Sequence, residues 1–171
     1  MHFVAPIKKK AKIFLSFCIL SIFFPSEAAQ WAHSPGSYKS ERYYKGDQIN
    51  PSNISDLEVA WKFSSGRIDE TLTVQSSPIF TETKIISSSP TSLFALDPNN
   101  GNLIWEIELE YKINPRGITY VKEPMPRIYL PTQNGVLEID EQNGKILGNF
   151  ESGRTYMPPV INGENIITPQ K

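Results

Sequence analysis

Few side chains in this sequence are of the types that perform metal or nucleophilic chemistry. The only cysteine, Cys18, lies inside an apolar run, and His33 is the only histidine beyond residue 28. A zinc site needs several Cys or His ligands close together, so we interpret His33 as a surface residue. The sequence also contains no phosphate-binding glycine loop and no nucleophile elbow. It therefore predicts neither a disulfide framework nor a zinc-thiolate site.

The first 28 residues have the pattern of a secretory signal peptide. A lysine cluster at 8–12 precedes an apolar run from Ile13 to Phe24, and the small residues Ser26 and Ala28 follow. The apolar run is shorter than the roughly 20 residues that a helix needs to cross a bilayer. The pattern predicts a cleaved signal peptide over 1–28, and hence a periplasmic or secreted protein.

The charge balance argues against a polyanionic partner. The chain has 17 basic and 18 acidic residues, and the predicted signal peptide contains four of the lysines but only one acidic residue, Glu27. The rest of the chain is therefore mildly acidic, and it has no basic run. We expect no nucleic acid partner and no attraction to an anionic membrane surface.

An internal repeat organises the second half of the chain. Residues 84–105 align with residues 127–148 at a constant offset of 43, and partial copies occur at Leu57–Phe63 and Pro159–Ile167. Each copy consists of short β-branched or aromatic runs separated by turn residues, without helical periodicity. A repeat of this length with four short strands is the size of one propeller blade.

Two features of the repeat predict how the strands connect and pack. Asn-Gly pairs occur at 100–101, 134–135, 143–144 and 162–163. Asn-Gly tolerates positive φ at both central positions of a type I′ turn, so these pairs predict tight antiparallel hairpins. Trp61 and Trp105 lie at equivalent places near the end of a repeat, and Gly148 breaks this series. We expect both rings to fill the wedge between neighbouring sheets rather than to contact a ligand.

The sequence thus predicts an all-β fold, the N-terminal portion of a β-propeller with about two blades. The predicted divisions are the signal peptide at 1–28, an extended segment leading into the sheets at 29–56, and the partial propeller at 57–171. Leu57–Phe63 could be the strand that completes the last blade of a closed ring. Because an incomplete ring exposes a sheet face and open edges, we expect the chain alone to associate or to be poorly soluble.

Several segments resemble the opening of dehydrogenases that depend on pyrroloquinoline quinone (PQQ), and the likeness is greatest to the membrane-associated glucose dehydrogenase type. The most specific segments are Asn50-Pro-Ser-Asn53 and the Arg-Gly segment at 114–120. The resemblance extends over further segments: 30–31, 42–44, 48–57, 60–66, 74–78 and 93–105. Many alcohol-oxidising relatives carry adjacent cysteines where this chain has residues 113–115, which favours the sugar-oxidising branch.

The resemblance implies an eight-bladed ring with PQQ near its axis, a calcium ion, and oxidation of an alcohol or sugar with electrons passed to a quinone or cytochrome. The catalytic aspartate and the main calcium ligands of the family come from later blades. The chain is therefore expected to need further C-terminal blades for ring closure and catalysis, and to supply only part of the cofactor site.

The resemblance also implies which residues meet the cofactor. Arg116 is the first candidate, because a guanidinium can hold a carboxylate or quinone oxygen through paired donors. Gln75 lies where relatives commonly carry a glutamate, and its amide can still form hydrogen bonds. Thr155 and Tyr156 lie where the next inner strand contributes a hydroxyl.

A second class of function stays open. The missing glutamate and cysteine pair are also compatible with a non-enzymatic propeller of the same repeat, such as a scaffold for outer-membrane protein assembly. Such a ring would bind no quinone.

Overall fold

The structure is a computed structural model that describes residues 31, 36, 39, 41–43, 46–65, 75–114 and 116–169. The predicted signal peptide and His33 lie outside the described residues. Within them, the only helical element is a short 3-10 helix, and the predicted all-β fold is confirmed. The elements are the 3-10 helix Ile54–Asp56 and the strands β1 (Ile79–Phe80), β2 (Ile85–Ser88), β3 (Ser92–Leu96), β4 (Leu103–Glu108), β5 (Thr119–Val121), β6 (Arg127–Pro131), β7 (Gly135–Asp140), β8 (Ile146–Glu151), β9 (Val160–Asn162) and β10 (Asn165–Ile167).

The strands form two four-stranded antiparallel sheets and one hairpin. The first blade has the order β1-β2-β3-β4, the second has the order β5-β6-β7-β8, and β9 pairs with β10. No described segment forms a helix that is long and apolar enough to cross a bilayer. The predicted arrangement of about two blades is therefore present, and the hairpin β9–β10 follows the second blade.

The inner strands of the two blades form the core. Both β3 and most of β7 are buried, whereas the outer strands β4 and β8 are largely exposed. One apolar cluster joins the blades. Its fully buried members are Ile79, Ile86, Leu93, Ala95, Ile128, Leu130 and Ile139. Each blade thus buries an apolar sheet face that it could not bury alone, which is why the repeat must stack.

The 43-residue repeat holds at the level of individual strand pairs. The register shifts between Ala95 and Leu96 in the first blade and between Glu138 and Ile139 in the second. The outer strands β4 and β8 are likewise 43 residues apart. The predicted repeat is confirmed, and the structure adds a register shift that recurs at the same offset.

The predicted type I′ geometry of the Asn-Gly hairpins is wrong. Such a turn needs positive φ at both central residues, and Arg42 and Glu82 are the only described non-glycine residues with positive φ. At 100–101 the chain closes a wider loop, in which Gly101 N–H donates to Asp97 O at 2.8 Å. Asn99 N–H also donates to Asp97 Oδ1 at 2.8 Å. The aspartate, which offers a local acceptor for this turn, therefore decides the loop shape.

The predicted packing role of the tryptophans is confirmed. The Trp105 indole of β4 donates from Nε1 to the carbonyl oxygen of Glu141 in the second blade at 3.0 Å. Its ring lies so close to Gly144 that a Cβ there would come within 2.8 Å of a ring carbon. Trp61 repeats this arrangement on the first blade, with Nε1 donating to Pro98 O at 3.0 Å.

The two blades are also joined by a buried ion pair. Glu141 follows β7, and its carboxylate lies 3.0 Å from Lys84 Nζ, which precedes β2. The same carboxylate accepts a hydrogen bond from Thr81 Oγ1 at 2.5 Å. Since Glu141 also accepts the indole N–H of Trp105, one residue connects to the other blade through both its side chain and its backbone.

The described part of the N-terminal segment contacts the first blade. Phe80 N–H donates to Trp31 O at 3.1 Å, which extends the sheet at the β1 edge. Phe63 and Phe94 lie with ring centroids 5.0 Å apart. Residues 57–63 belong to no strand in the structure, so their role in completing a last blade stays a prediction.

We expect the chain to lose folding stability at alkaline pH, because Tyr120 in β5 is buried. Burial raises the pKa of Tyr120 to about 12, and the nearby carboxylates of Glu141, Glu82 and Glu123 add to this effect. The raised pKa means that the folded state favours the neutral phenol. The contribution of Tyr120 to the free energy of unfolding is therefore complete below the tyrosine pKa of the unfolded chain, about 10, and is lost as the pH approaches 12. We expect Tyr120→Phe to lose less stability than the parent over this range, measured by urea unfolding at pH 8 to 12. Parallel pH profiles of the two proteins would contradict this.

Candidate cofactor site

A cavity of about 280 Å³ lies where five connecting segments of the two blades meet. The segments precede β1, join β2 to β3, β4 to β5 and β6 to β7, and follow β8. Since neighbouring strands are antiparallel, these connections emerge at the same end of each sheet. Side chains that are far apart in sequence are therefore brought to one concave surface.

All four residues that the resemblance assigns to the cofactor line this one cavity. Arg116 and Gln75 are exposed, and Tyr156 is half-buried. Thr155 is fully buried, and its hydroxyl donates to Gly153 O at 3.3 Å. The hydroxyl of Thr155 is thus already bonded within its own loop, whereas the other three side chains are accessible.

Two further cations of the cavity were missed by the sequence reasoning. Lys112 and Arg154 line the same wall as Arg116, and none of the lining residues that the structure describes is acidic. The guanidinium carbon of Arg154 lies 4.5 Å from the ring centroid of Tyr156, a cation–π contact that orients the side chain. Arg154 could have been found from its position directly before Thr155 and Tyr156. The cavity is therefore suited to an anion.

Asn114 ties the segments of the cavity together. Its side-chain amide donates to the Thr155 carbonyl oxygen, and its Oδ1 accepts from Arg116 N–H at 3.1 Å. Its own backbone N–H donates to Pro131 O at 3.0 Å. These hydrogen bonds thus hold the segments of the cavity in place before any ligand binds.

Metal ligation is a separate question from anion binding. In the part of the chain that the structure describes, no three His, Cys, Asp or Glu side chains lie together in a way that could hold a metal ion. The described cavity offers cations, amides and hydroxyls, which are ligands for carboxylate and carbonyl oxygens.

Fold and site together define a partial β-propeller with a cation-lined cavity at one end of its blades. The family model of the PQQ-dependent glucose/ethanol/alcohol dehydrogenase β-propeller domain matches residues 31–157. The chain belongs to this family, so the predicted resemblance is confirmed.

Individual relatives agree with this assignment. The chain is 28% identical over 152 residues to the quinoprotein glucose dehydrogenase of Gluconobacter oxydans, covering 72% of this chain and 19% of that protein. It is 26% identical over 162 residues to the quinohemoprotein alcohol dehydrogenase ADH-IIG of Pseudomonas putida, covering 82% of this chain and 22% of that protein. The chain thus spans about a fifth of the length of these relatives.

A solved structure supports the fold independently. A europium-containing methanol dehydrogenase superposes with a TM-score of 0.68 at 22% sequence identity, over 82% of this chain and 27% of the other. At this identity the likeness supports the propeller fold and carries no statement about the reaction.

Proposed function

We propose that this chain supplies part of the PQQ site of a periplasmic or secreted dehydrogenase that oxidises an alcohol or a sugar. The observation that carries the proposal is the cation set of the cavity, where Lys112, Arg116 and Arg154 meet without an opposing carboxylate among the described lining residues. PQQ has three carboxylates, and fixed cations are the groups that bind them best.

The residues of the cavity would divide the binding between them. Arg116 and Arg154 can each hold a carboxylate through two parallel N–H donors, and the ring of Tyr156 keeps Arg154 in place. Gln75 can donate or accept a hydrogen bond. Its amide is neutral, so it does not repel an anion, whereas the charge of a glutamate at this place would. The chain's own residues therefore bind and orient the cofactor.

The chemistry of oxidation would come from groups that these side chains do not supply. When bound, PQQ provides the quinone oxidant. We further propose that a metal ion, calcium by resemblance, accompanies PQQ with ligands outside the described residues. The electron acceptor would be a quinone or a cytochrome.

Removal of a cavity cation is expected to weaken PQQ binding. Arg116→Gln and Arg154→Gln each remove one charge-assisted contact, so we expect each to raise the Kd for PQQ by about tenfold, or roughly 1.4 kcal/mol. Titration of PQQ into the chain, followed by quenching of tryptophan fluorescence and by equilibrium dialysis, measures this effect.

The matched control removes a cation that lies away from the cavity. Lys122 is exposed and pairs with Glu82 at 2.8 Å, so Lys122→Gln should leave the Kd unchanged. If all three variants weaken binding equally, PQQ responds only to net charge and the proposed site is wrong. If PQQ binds neither the chain nor the chain joined to the further C-terminal blades that the resemblance implies, the non-enzymatic scaffold is favoured.

A further inference from the structure

We propose that Asn114 is a positioning residue, whose amide fixes the relative placement of the two arginine-bearing segments of the cavity, 112–116 and 154–156. This inference rests on the proposed function, because it assigns the amide a role in presenting the cations that would hold PQQ. The inference adds Asn114, a neutral and almost fully buried residue, to the residues of the proposed cofactor site.

The geometry shows two bonds with opposite polarity on one side chain. The Asn114 Nδ2 donates to the carbonyl oxygen of Thr155, a residue 41 positions further along the chain. The Oδ1 accepts from the backbone N–H of Arg116 at 3.1 Å. Thr155 directly follows Arg154, so a single amide lies between the backbones of both arginine-bearing segments.

The burial of Asn114 explains why the bonds matter. The residue is only 7% exposed, so water cannot readily replace a lost partner, and an unpaired buried polar group is costly. Neither segment belongs to a strand at this point. Backbone bonds connect each segment to the end of β6, with Asn114 N–H donating to Pro131 O at 3.0 Å and Thr155 N–H donating to Thr132 O at 3.2 Å, and the amide adds the direct bond between the two segments.

The amide serves both bonds because its donor and its acceptor are separate atoms, Nδ2 and Oδ1. A carboxylate at this position could accept from Arg116 N–H but, when ionised, could not donate to Thr155 O. Its charge would also lie beside Lys112, Arg116 and Arg154, where it would compete with an anionic ligand. An alanine would remove both bonds.

The chain offers a matched control for the loss of a buried hydrogen bond. Thr119 is 2% exposed, and its hydroxyl donates to Pro159 O at 2.6 Å, across 40 residues. This bond joins the same two regions of the chain as the Asn114 bond, but Thr119 does not line the cavity. Thr119→Val therefore tests the structural cost alone.

The first test compares binding with stability. We expect Asn114→Ala to raise the Kd for PQQ at least tenfold, and Asn114→Asp to raise it at least as much. Thr119→Val should change the Kd by less than twofold at a similar loss of urea stability. Equal Kd changes in Asn114→Ala and Thr119→Val would overturn the positioning role.

The second test does not need PQQ. Amide hydrogen exchange of Arg116, followed by NMR, should be protected in the parent chain, although the residue is exposed, and at least tenfold faster in Asn114→Ala than in Thr119→Val. An unprotected Arg116 amide in the parent would overturn the inference even if no variant folds. If no PQQ binds even when the further C-terminal blades are joined to the chain, the proposed function fails, and the exchange result alone then decides whether Asn114 holds the segments.

Discussion

Gly135→Ala is expected to destabilise the chain by about 4 kcal/mol, because backbone strain and a main-chain clash act together. Gly135 begins β7 with φ of +143°, and a Cβ at this position would lie 2.0 Å from the carbonyl oxygen of Phe150 on β8. The obstructing atom belongs to the backbone of a paired strand, so no side-chain rotation can relieve the clash. The β7–β8 pairing would have to open, which urea unfolding followed by tryptophan fluorescence would detect.

Gly153 provides a control for the strain alone. It has φ of +76°, but a Cβ there would meet no atom within 4 Å. We therefore expect Gly153→Ala to cost only about 1 kcal/mol, the ordinary penalty of a left-handed conformation. Equal effects of the two substitutions would show that the close approach between Gly135 and Phe150 does not constrain the sheet.

Lys84→Met is expected to destabilise the chain by about 3 kcal/mol, because it leaves a buried carboxylate without its cation. Lys84 and Glu141 are 14% and 4% exposed, and their charged atoms lie 3.0 Å apart. The same urea experiment measures the loss. Adding Glu141→Gln to Lys84→Met should recover part of it, because no buried charge then remains.

The comparison pair lies at the surface. The charged atoms of Lys122 and Glu82 lie 2.8 Å apart, but the two side chains are 47% and 38% exposed, and such pairs contribute at most about 1 kcal/mol. Lys122→Met should therefore have a small effect that fades with added salt. A loss as small in Lys84→Met would mean that the joint between the blades does not depend on this charge pair.

Much of the fold could be predicted because the residues that specify its strands and turns recur every 43 positions. Asp97 and the Asn-Gly pair at 100–101 recur 43 residues later as Asp140 and 143–144, which is the offset of the strands themselves, so the repeat, the strand count and the packing of Trp61 and Trp105 could be inferred from sequence. The turn geometry could not, because it depends on the hydrogen bonds that Asp97 accepts within its loop. The Lys84–Glu141 pair could not be predicted either, since it joins different blades and no local pattern marks it.

The site was predictable only where the resemblance pointed. Arg116, Gln75, Thr155 and Tyr156 were assigned in this way, and the structure brings all four to one cavity. Lys112 and Arg154 belong to no motif, and Asn114 acts through bonds to residues on two different segments. Arg154 could have been inferred from its position directly before Thr155, whereas Lys112 and Asn114 become recognisable only when the antiparallel topology has placed the connecting loops together.

The three contacts of Glu141 with the first blade affect how the chain unfolds. Its backbone carbonyl accepts a hydrogen bond from the indole of Trp105. Its carboxylate pairs with Lys84 and accepts a hydrogen bond from Thr81, so one residue connects the two blades through both its backbone and its side chain. In repeat architectures, strong coupling between neighbours replaces stepwise melting with a single cooperative transition. Neither blade can detach without disturbing this residue, and the smallest cooperative unit of the chain is therefore the pair.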